Sequence, residues 1–241
     1  MDVIERRSWL GITIGYVPML VGAWLIYLLF NHFWGDLIMF TPSQLLGNGL
    51  VWEGIASVWF IFAWGLAATV VILAIADPHY TSAGRAQLIA KGWWASLNAG
   101  VFEELIYRLF VLLNSMVVMT FLNFITFGLV KWLYSAIMIP VANFFTFGAL
   151  EPQLTQHGWL LGAAIIAASI QFRDGHKHLG LLGWVNAWFI GMVMFWLVFN
   201  YGLLTAIVAH VIYDVLIFTL TGAAAKRTHN SWQSLLHGFS R

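Results

Sequence analysis

The chain has 241 residues, 61% of them hydrophobic and 9% charged, with a formal net charge of +1. A soluble domain carries about 25% charged residues, so soluble, nucleic-acid-binding and disordered readings all fit poorly, and the mean hydropathy of +0.83 indicates a polytopic helical membrane protein. Cysteine is absent, which removes disulfides, thiolate metal sites and a cysteine nucleophile.

One bilayer span takes about 20 apolar residues. The chain therefore has room for at most about eight or nine spans and little else, and residues 1–241 read as a single integral membrane domain. A transmembrane β-barrel needs segments of about ten residues with alternating polarity. Runs such as Leu66–Ala76 are apolar all round instead, so the expected class is all-α, with about eight (seven to eight) transmembrane helices.

Taken in order, Ser8–Phe30 is an uncharged run behind Asp2, Glu5, Arg6 and Arg7. It is too long for a signal peptide and lacks a small-residue cleavage site, so it reads as a retained first span. Its Gly11 and Gly15 form a GxxxG pair, read as ordinary membrane glycines. Asn31–Gly49 reads as a loop and Val51–Ala76 as a second span. Asp77-Pro78 ends that span, because proline disfavours helix at the residue before it. Pro78–Lys91, with Arg85, reads as a polar interior loop. Trp93–Met119 is the third span and carries Glu103, Glu104 and Arg108. Thr120–Leu150 is apolar except for Lys131, and reads either as two short helices turning near Pro140 or as a helix with a re-entrant piece. Gly158–Ile170 is a further span, followed by the polar patch Gln171–Gly180. Leu181–Phe199 and Leu203–Thr221 are the last spans, joined at Asn200-Tyr201-Gly202. The tail from Ala225 is polar.

Basic residues favour the cytoplasmic side. Arg6/Arg7, Arg85/Lys91, Arg173/Lys177 and Lys226/Arg227 share one side only if the crossings are even in number. Both termini are then expected in the cytoplasm.

An ionisable residue inside a span is costly and marks a functional candidate. Glu104 and Arg108 stand four apart on one helical face and can pair. Glu103 lies about 100° round the helix and faces another neighbour. Two adjacent carboxylates in low dielectric repel, which suits one of them to act as a general base. His210 and Asp214 are again four apart, so that the carboxyl can orient the imidazole. The bland reading of these residues is a buried network that only fixes helix register.

The residues fall into three ordered motifs: Glu103-Glu104-xxx-Arg108, Phe172-xxx-His176 and His210-xxx-Asp214. This trio, EExxxR, FxxxH and Hxxx(N/D), resembles the CPBP (Abi) family of intramembrane proteases, whose members include the type II CAAX prenyl endopeptidases. The resemblance covers about residues 93–220. It implies about eight helices around a polar, water-accessible catalytic cavity, and peptide-bond hydrolysis without a covalent intermediate or a cofactor. By that resemblance Glu103 activates the water and His176 binds and polarises it. His210 and Asp214 support the oxyanion, and Arg108 pairs with Glu104. The implied partners are membrane lipids and a membrane-associated protein or lipidated peptide, in the cytoplasmic membrane or, in a eukaryote, the endoplasmic reticulum.

Three features depart from the pattern. Arg173-Asp174-Gly175 stands where the family has small or apolar residues. His178 competes with His176, and the long gap from Arg108 to Phe172 implies an insertion in Thr120–Leu150. An ionised aspartate, moreover, cannot donate a hydrogen bond, so Asp214 has orienting His210 as its alternative role.

The nearest rival is a zinc-dependent protease using Glu103, His176, His210 and Asp214 as ligands, although HExxH is absent. Ser57, Ser96, Ser115, Ser135 and Ser169 lack a nucleophile context, and an aspartyl protease needs a second span aspartate. A transporter would show inverted repeats, and none is visible. A non-catalytic member of the same family would not need Glu103. His32, His79, His157, His229 and His237 fall in loops or tails and are assigned no role.

Overall fold

A computed structural model describes residues 50–76, 79–80, 82–146, 148, 150–156, 158–224 and 226–227, with Val21, Gly22, Leu25 and Gly47. The first span expected over Ser8–Phe30, its GxxxG pair and most of Asn31–Gly49 lie outside the described residues.

The described chain is helical apart from one short pairing. Helices α1 (Val51–Ser57) and α2 (Trp59–Ala76) are followed by strand β1 (His79–Tyr80). A long rod then runs through α3 (Ser82–Leu105), a π-helical turn (Ile106–Val111) and α4 (Leu112–Ile125). Next come α5 (Leu129–Leu133), a second π turn (Tyr134–Met138), α6 (Ile139–Thr146) and α7 (Glu151–Thr155). The chain closes with α8 (Trp159–Gly175), a 3-10 turn (Lys177–Leu179), α9 (Gly180–Tyr201), α10 (Leu203–Ala224) and β2 (Lys226–Arg227). The two strands pair in parallel, His79 against Lys226.

Among the described residues, three helices are long and apolar enough to cross a membrane: Gly84–Ile125, Gly180–Tyr201 and Leu203–Ala224. The pair α1 and α2, bent by 54° at Val58, makes a fourth if it counts as one broken span. At the bend the Ser57 hydroxyl donates to the Gly54 carbonyl at 2.6 Å.

Three sequence boundaries move. Pro78–Lys91 is not a loop throughout, because α3 already begins at Ser82. The Arg85 side chain accounts for this. Its Nε and Nη2 each donate at 2.7 Å to the carbonyls of Gly222 and Ala223, the otherwise unpaired C-terminal carbonyls of α10. The turn expected near Pro140 falls instead at Thr126–Gly128, where Gly128 takes φ +90°, a left-handed conformation that suits glycine. Pro140 lies within α6, and the widened turn Tyr134–Met138 immediately precedes that helix. Proline has no N–H and crowds the carbonyl four residues back, and a π turn is one way for a helix to absorb that. The polar patch from Gln171 is helical as far as Gly175.

The buried positions show how the helices pack. On α3 and its continuation, Gly92, Ser96, Gly100, Glu104, Arg108 and Leu112 are all buried, while Trp93, Trp94 and Leu97 between them are exposed. That four-residue spacing is one narrow face, and it lies against α10, the most extensive helix pairing in the fold. Small residues let the two backbones approach. A methyl on Gly100 would meet Val211 Cγ2 at 2.5 Å. Helix α8 differs, since Leu160–Ile166, Ala168, Ser169 and Phe172 are all buried. It is the central helix, packed against both α4 and α9.

Helices α3 and α10 run antiparallel, as Arg85 on the last turn of α10 requires. Their shared end carries Arg85, Lys91, Lys226 and Arg227. Helix α9 begins toward the same end, so Lys177 lies on that side too. Lys131 follows the far end of the rod, where its backbone N–H donates to Asn123 Oδ1 at 2.9 Å.

Candidate active site

Glu104 and Arg108 both have fully buried side chains. The guanidinium grips the carboxylate with Nε at 2.9 Å from Oε2 and Nη2 at 3.3 Å from Oε1. Its faces lie over two aromatic rings, Phe195 at 4.5 Å and Phe172 at 5.1 Å from their centroids. A desolvated guanidinium gains from such ring faces, and they shield the pair from competing polar groups.

Glu104 also accepts a hydrogen bond from His210. The Nδ1 to Oε1 distance is 2.8 Å, between residues 106 apart in sequence. A carboxylate paired with arginine can only accept, so the proton of this bond belongs to His210 Nδ1. The other ring nitrogen of His210, Nε2, then faces Glu103 Oε2 at 4.0 Å and Asp214 Oδ2 at 3.7 Å.

His176 repeats the arrangement. Its Nδ1 donates at 2.7 Å to the Phe172 carbonyl, and its Nε2 lies 3.7 Å from Glu103 Oε2. His178 turns away: it is exposed, and its Nδ1 lies 3.1 Å from the Gly175 carbonyl. The structure thus selects His176 over His178 as the histidine that meets Glu103.

Glu103 is the outlier of the acidic pair. Its side chain is 28% exposed, against 0% for Glu104, yet its Oε2 is buried and has no hydrogen-bond partner. Separations of 3.7 and 4.0 Å to the two imidazoles are too long for direct hydrogen bonds and within the reach of one bridging water. Asp214 is 24% exposed and His176 22%, so the cluster is reachable from outside the fold.

All seven residues singled out in the three motifs therefore meet at one place: Glu103, Glu104, Arg108, Phe172, His176, His210 and Asp214. The Phe172 ring joins them, with its centroid 4.5 Å from that of His176 and 6.1 Å from that of His210. Gly191 makes room for it, since a Cβ there would lie 3.3 Å from the Phe172 ring.

Sequence reasoning missed two contributors, Phe195 and Asn186, and part of the role of two others, Glu104 and Asp214. Glu104, expected only as the partner of Arg108, also orients His210. Asp214, expected to do so, lies at the opposite nitrogen. Phe195 covers Arg108. Asn186 accepts from Trp64 Nε1 at 2.8 Å and donates to the Tyr213 hydroxyl at 3.1 Å, tying α2 and α9 to the helix that carries Asp214. Only Glu104 left a signal, its place on the buried face of α3. Of the serines, Ser57 and Ser96 spend their hydroxyls on the carbonyls of Gly54 and Gly92.

No protein-family model, curated protein or solved structure matches the chain.

Proposed function

We propose that this chain is an intramembrane endopeptidase that hydrolyses a peptide bond in a membrane-associated protein or lipidated peptide, with a water activated by Glu103 and His176. One observation carries the reading. Glu103 keeps a buried, unpartnered carboxylate oxygen between two imidazoles, while its neighbour Glu104 is neutralised by Arg108 and His210.

Both Glu103 Oε2 and His176 Nε2 are acceptors, so one water donating to each is held with its lone pairs free for a carbonyl carbon. Glu103 takes one of the water protons as the C–O bond forms. It then returns that proton to the amide nitrogen as the C–N bond breaks. Arg108 keeps Glu104 ionised, and Glu104 keeps the His210 proton on Nδ1. The likeness to the CPBP family rests on the same residues, and it extends the proposal to seven or eight helical segments and to CAAX-type tails as a substrate class.

The test is mass spectrometry of membrane proteins from cells carrying the wild-type chain or Glu103→Gln. Cleavage products are expected with the first and absent with the second. Equal products from a folded Glu103→Gln protein would overturn the mechanism.

The zinc-dependent alternative uses the same side chains. Among the described residues, no group of three His, Asp or Glu side chains is closed around a single ion position. Loss of cleavage in a chelator, with recovery on adding zinc, would favour this alternative over the metal-free one. If no product depends on Glu103, the transport or non-catalytic readings stand instead.

A further inference from the structure

The proposed hydrolysis needs a hydrogen-bond donor for the oxyanion, and the cluster is built almost wholly of acceptors. Glu103 and Asp214 accept only when ionised. The Phe172 carbonyl and the Glu104 carboxylate fix the histidine protons on Nδ1. Each neutral imidazole therefore presents a bare Nε2. His210 becomes a donor at Nε2 only as imidazolium, and the Arg108 donors are sealed inside the fold.

Tyr107 is the exception. It lies one turn beyond Glu103, within the π turn Ile106–Val111 that follows the two glutamates. Its ring meets Phe172 edge-on, with centroids 5.1 Å apart, and so belongs to the stack that includes His176 and His210. Its hydroxyl points to the end of α8, where a Cβ on Gly175 would stand 3.2 Å away. Gly175 immediately precedes His176. The phenol is half-buried, and among the described residues no hydrogen bond occupies its hydroxyl. A phenol stays protonated at neutral pH and donates whatever the charge on the histidines.

We propose that Tyr107 is a catalytic residue of this site, its O–H donating to the substrate carbonyl oxygen as that oxygen becomes an oxyanion. The inference rests on the endopeptidase reading. It changes no proton count, since the phenol keeps its proton while the water proton moves through Glu103 to the leaving nitrogen.

The assay uses a synthetic peptide spanning a cleavage site mapped by the wild-type and Glu103→Gln comparison, with the purified protein in detergent. Removal of one oxyanion donor lowers kcat by about 100- to 1000-fold. Tyr107→Phe is expected to lower kcat by that order while KM changes less than about twofold and the thermal midpoint stays near wild type. Gly175→Ala crowds the hydroxyl and is expected to slow the wild type while adding little to Tyr107→Phe, because coupled residues are non-additive. Full activity of Tyr107→Phe beside an inactive Glu103→Gln would overturn this proposal and leave the endopeptidase reading intact. If no product separates wild type from Glu103→Gln, both fall together.

Discussion

Arg108 shows what a single side chain can be asked to do in this fold. It is wholly buried, and its removal would strand Glu104 and the Glu104–His210 hydrogen bond. Breaking a buried pair by deleting one partner costs about 3–5 kcal/mol. Arg108→Ala is therefore expected to lower stability by that order, read as a lower denaturation midpoint in detergent, and to abolish activity. Glu103→Gln is expected to leave the midpoint unchanged, because its Oε2 makes no hydrogen bond. Similar midpoints for Arg108→Ala and wild type would refute the structural role of the pair. Much at this scale was legible in the sequence. The i, i+4 spacing alone separates the Glu104–Arg108 pair from Glu103. The bond from Glu104 to His210 was not legible, because a contact across 106 residues leaves no local pattern. The choice of His176 over His178 likewise depends on where α8 stops.

Among the elements, the α3–α10 pairing sets the site. Gly92, Ser96 and Gly100 form a stripe of small residues that ends on Glu104 and Arg108, so the close approach of the helices and the delivery of the pair are one feature. Gly100→Leu would drive a side chain into Val211 and the Ile207 carbonyl. Overpacking of this kind costs about 1–3 kcal/mol, and here it also pulls His210 away from Glu104. We expect loss of activity with a modest fall in stability, and rescue by Val211→Ala. Rescue failing in a folded double variant would count against the packing argument. The four-residue spacing of the stripe is present in the sequence, but a third span begun at Trp93 leaves Gly92 outside it and hides the pattern. The start of α3 at Ser82 was not legible, since it depends on Arg85 reaching the end of a helix 137 residues away. The α8–α9 junction gives a pH prediction. Asp174 accepts from Arg173 Nε at 2.8 Å and Trp184 Nε1 at 3.0 Å, and these bonds hold its carboxyl below the usual aspartate value. A depressed folded value means the contact is present above about pH 4 and is lost as the pH falls through the folded value. The Trp184 indole N–H resonance should stay constant from neutral pH to about pH 4 and move only below it. Movement in Asp174→Asn over the same range would assign the change elsewhere.

At the largest scale, the described residues have an asymmetry that predicts how the chain sits in a bilayer. Its rod over Gly84–Ile125 has 42 residues, about 63 Å at 1.5 Å per residue, or twice the hydrocarbon thickness of about 30 Å. Exposed tryptophans such as Trp93 and Trp94 flank the start of the apolar stretch, where interfacial aromatic rings belong. The basic residues Arg85, Lys91, Lys177, Lys226 and Arg227 lie toward that end, and Lys131 follows the opposite end of the rod. Positive charge stays on the cytoplasmic side, so the end with Arg85 should be the inner one. The absence of cysteine makes the chain a ready background for single-cysteine labelling. Lys91, Lys177 and Lys131 are all exposed, so replacing each by cysteine should leave the core intact. In intact cells a membrane-impermeant maleimide is expected to label Lys131→Cys. It should reach Lys91→Cys and Lys177→Cys only after permeabilisation. Labelling of Lys91→Cys and Lys177→Cys on opposite sides would break the helix order derived from α3, α9 and α10. Labelling of both from outside would keep that order and invert the orientation.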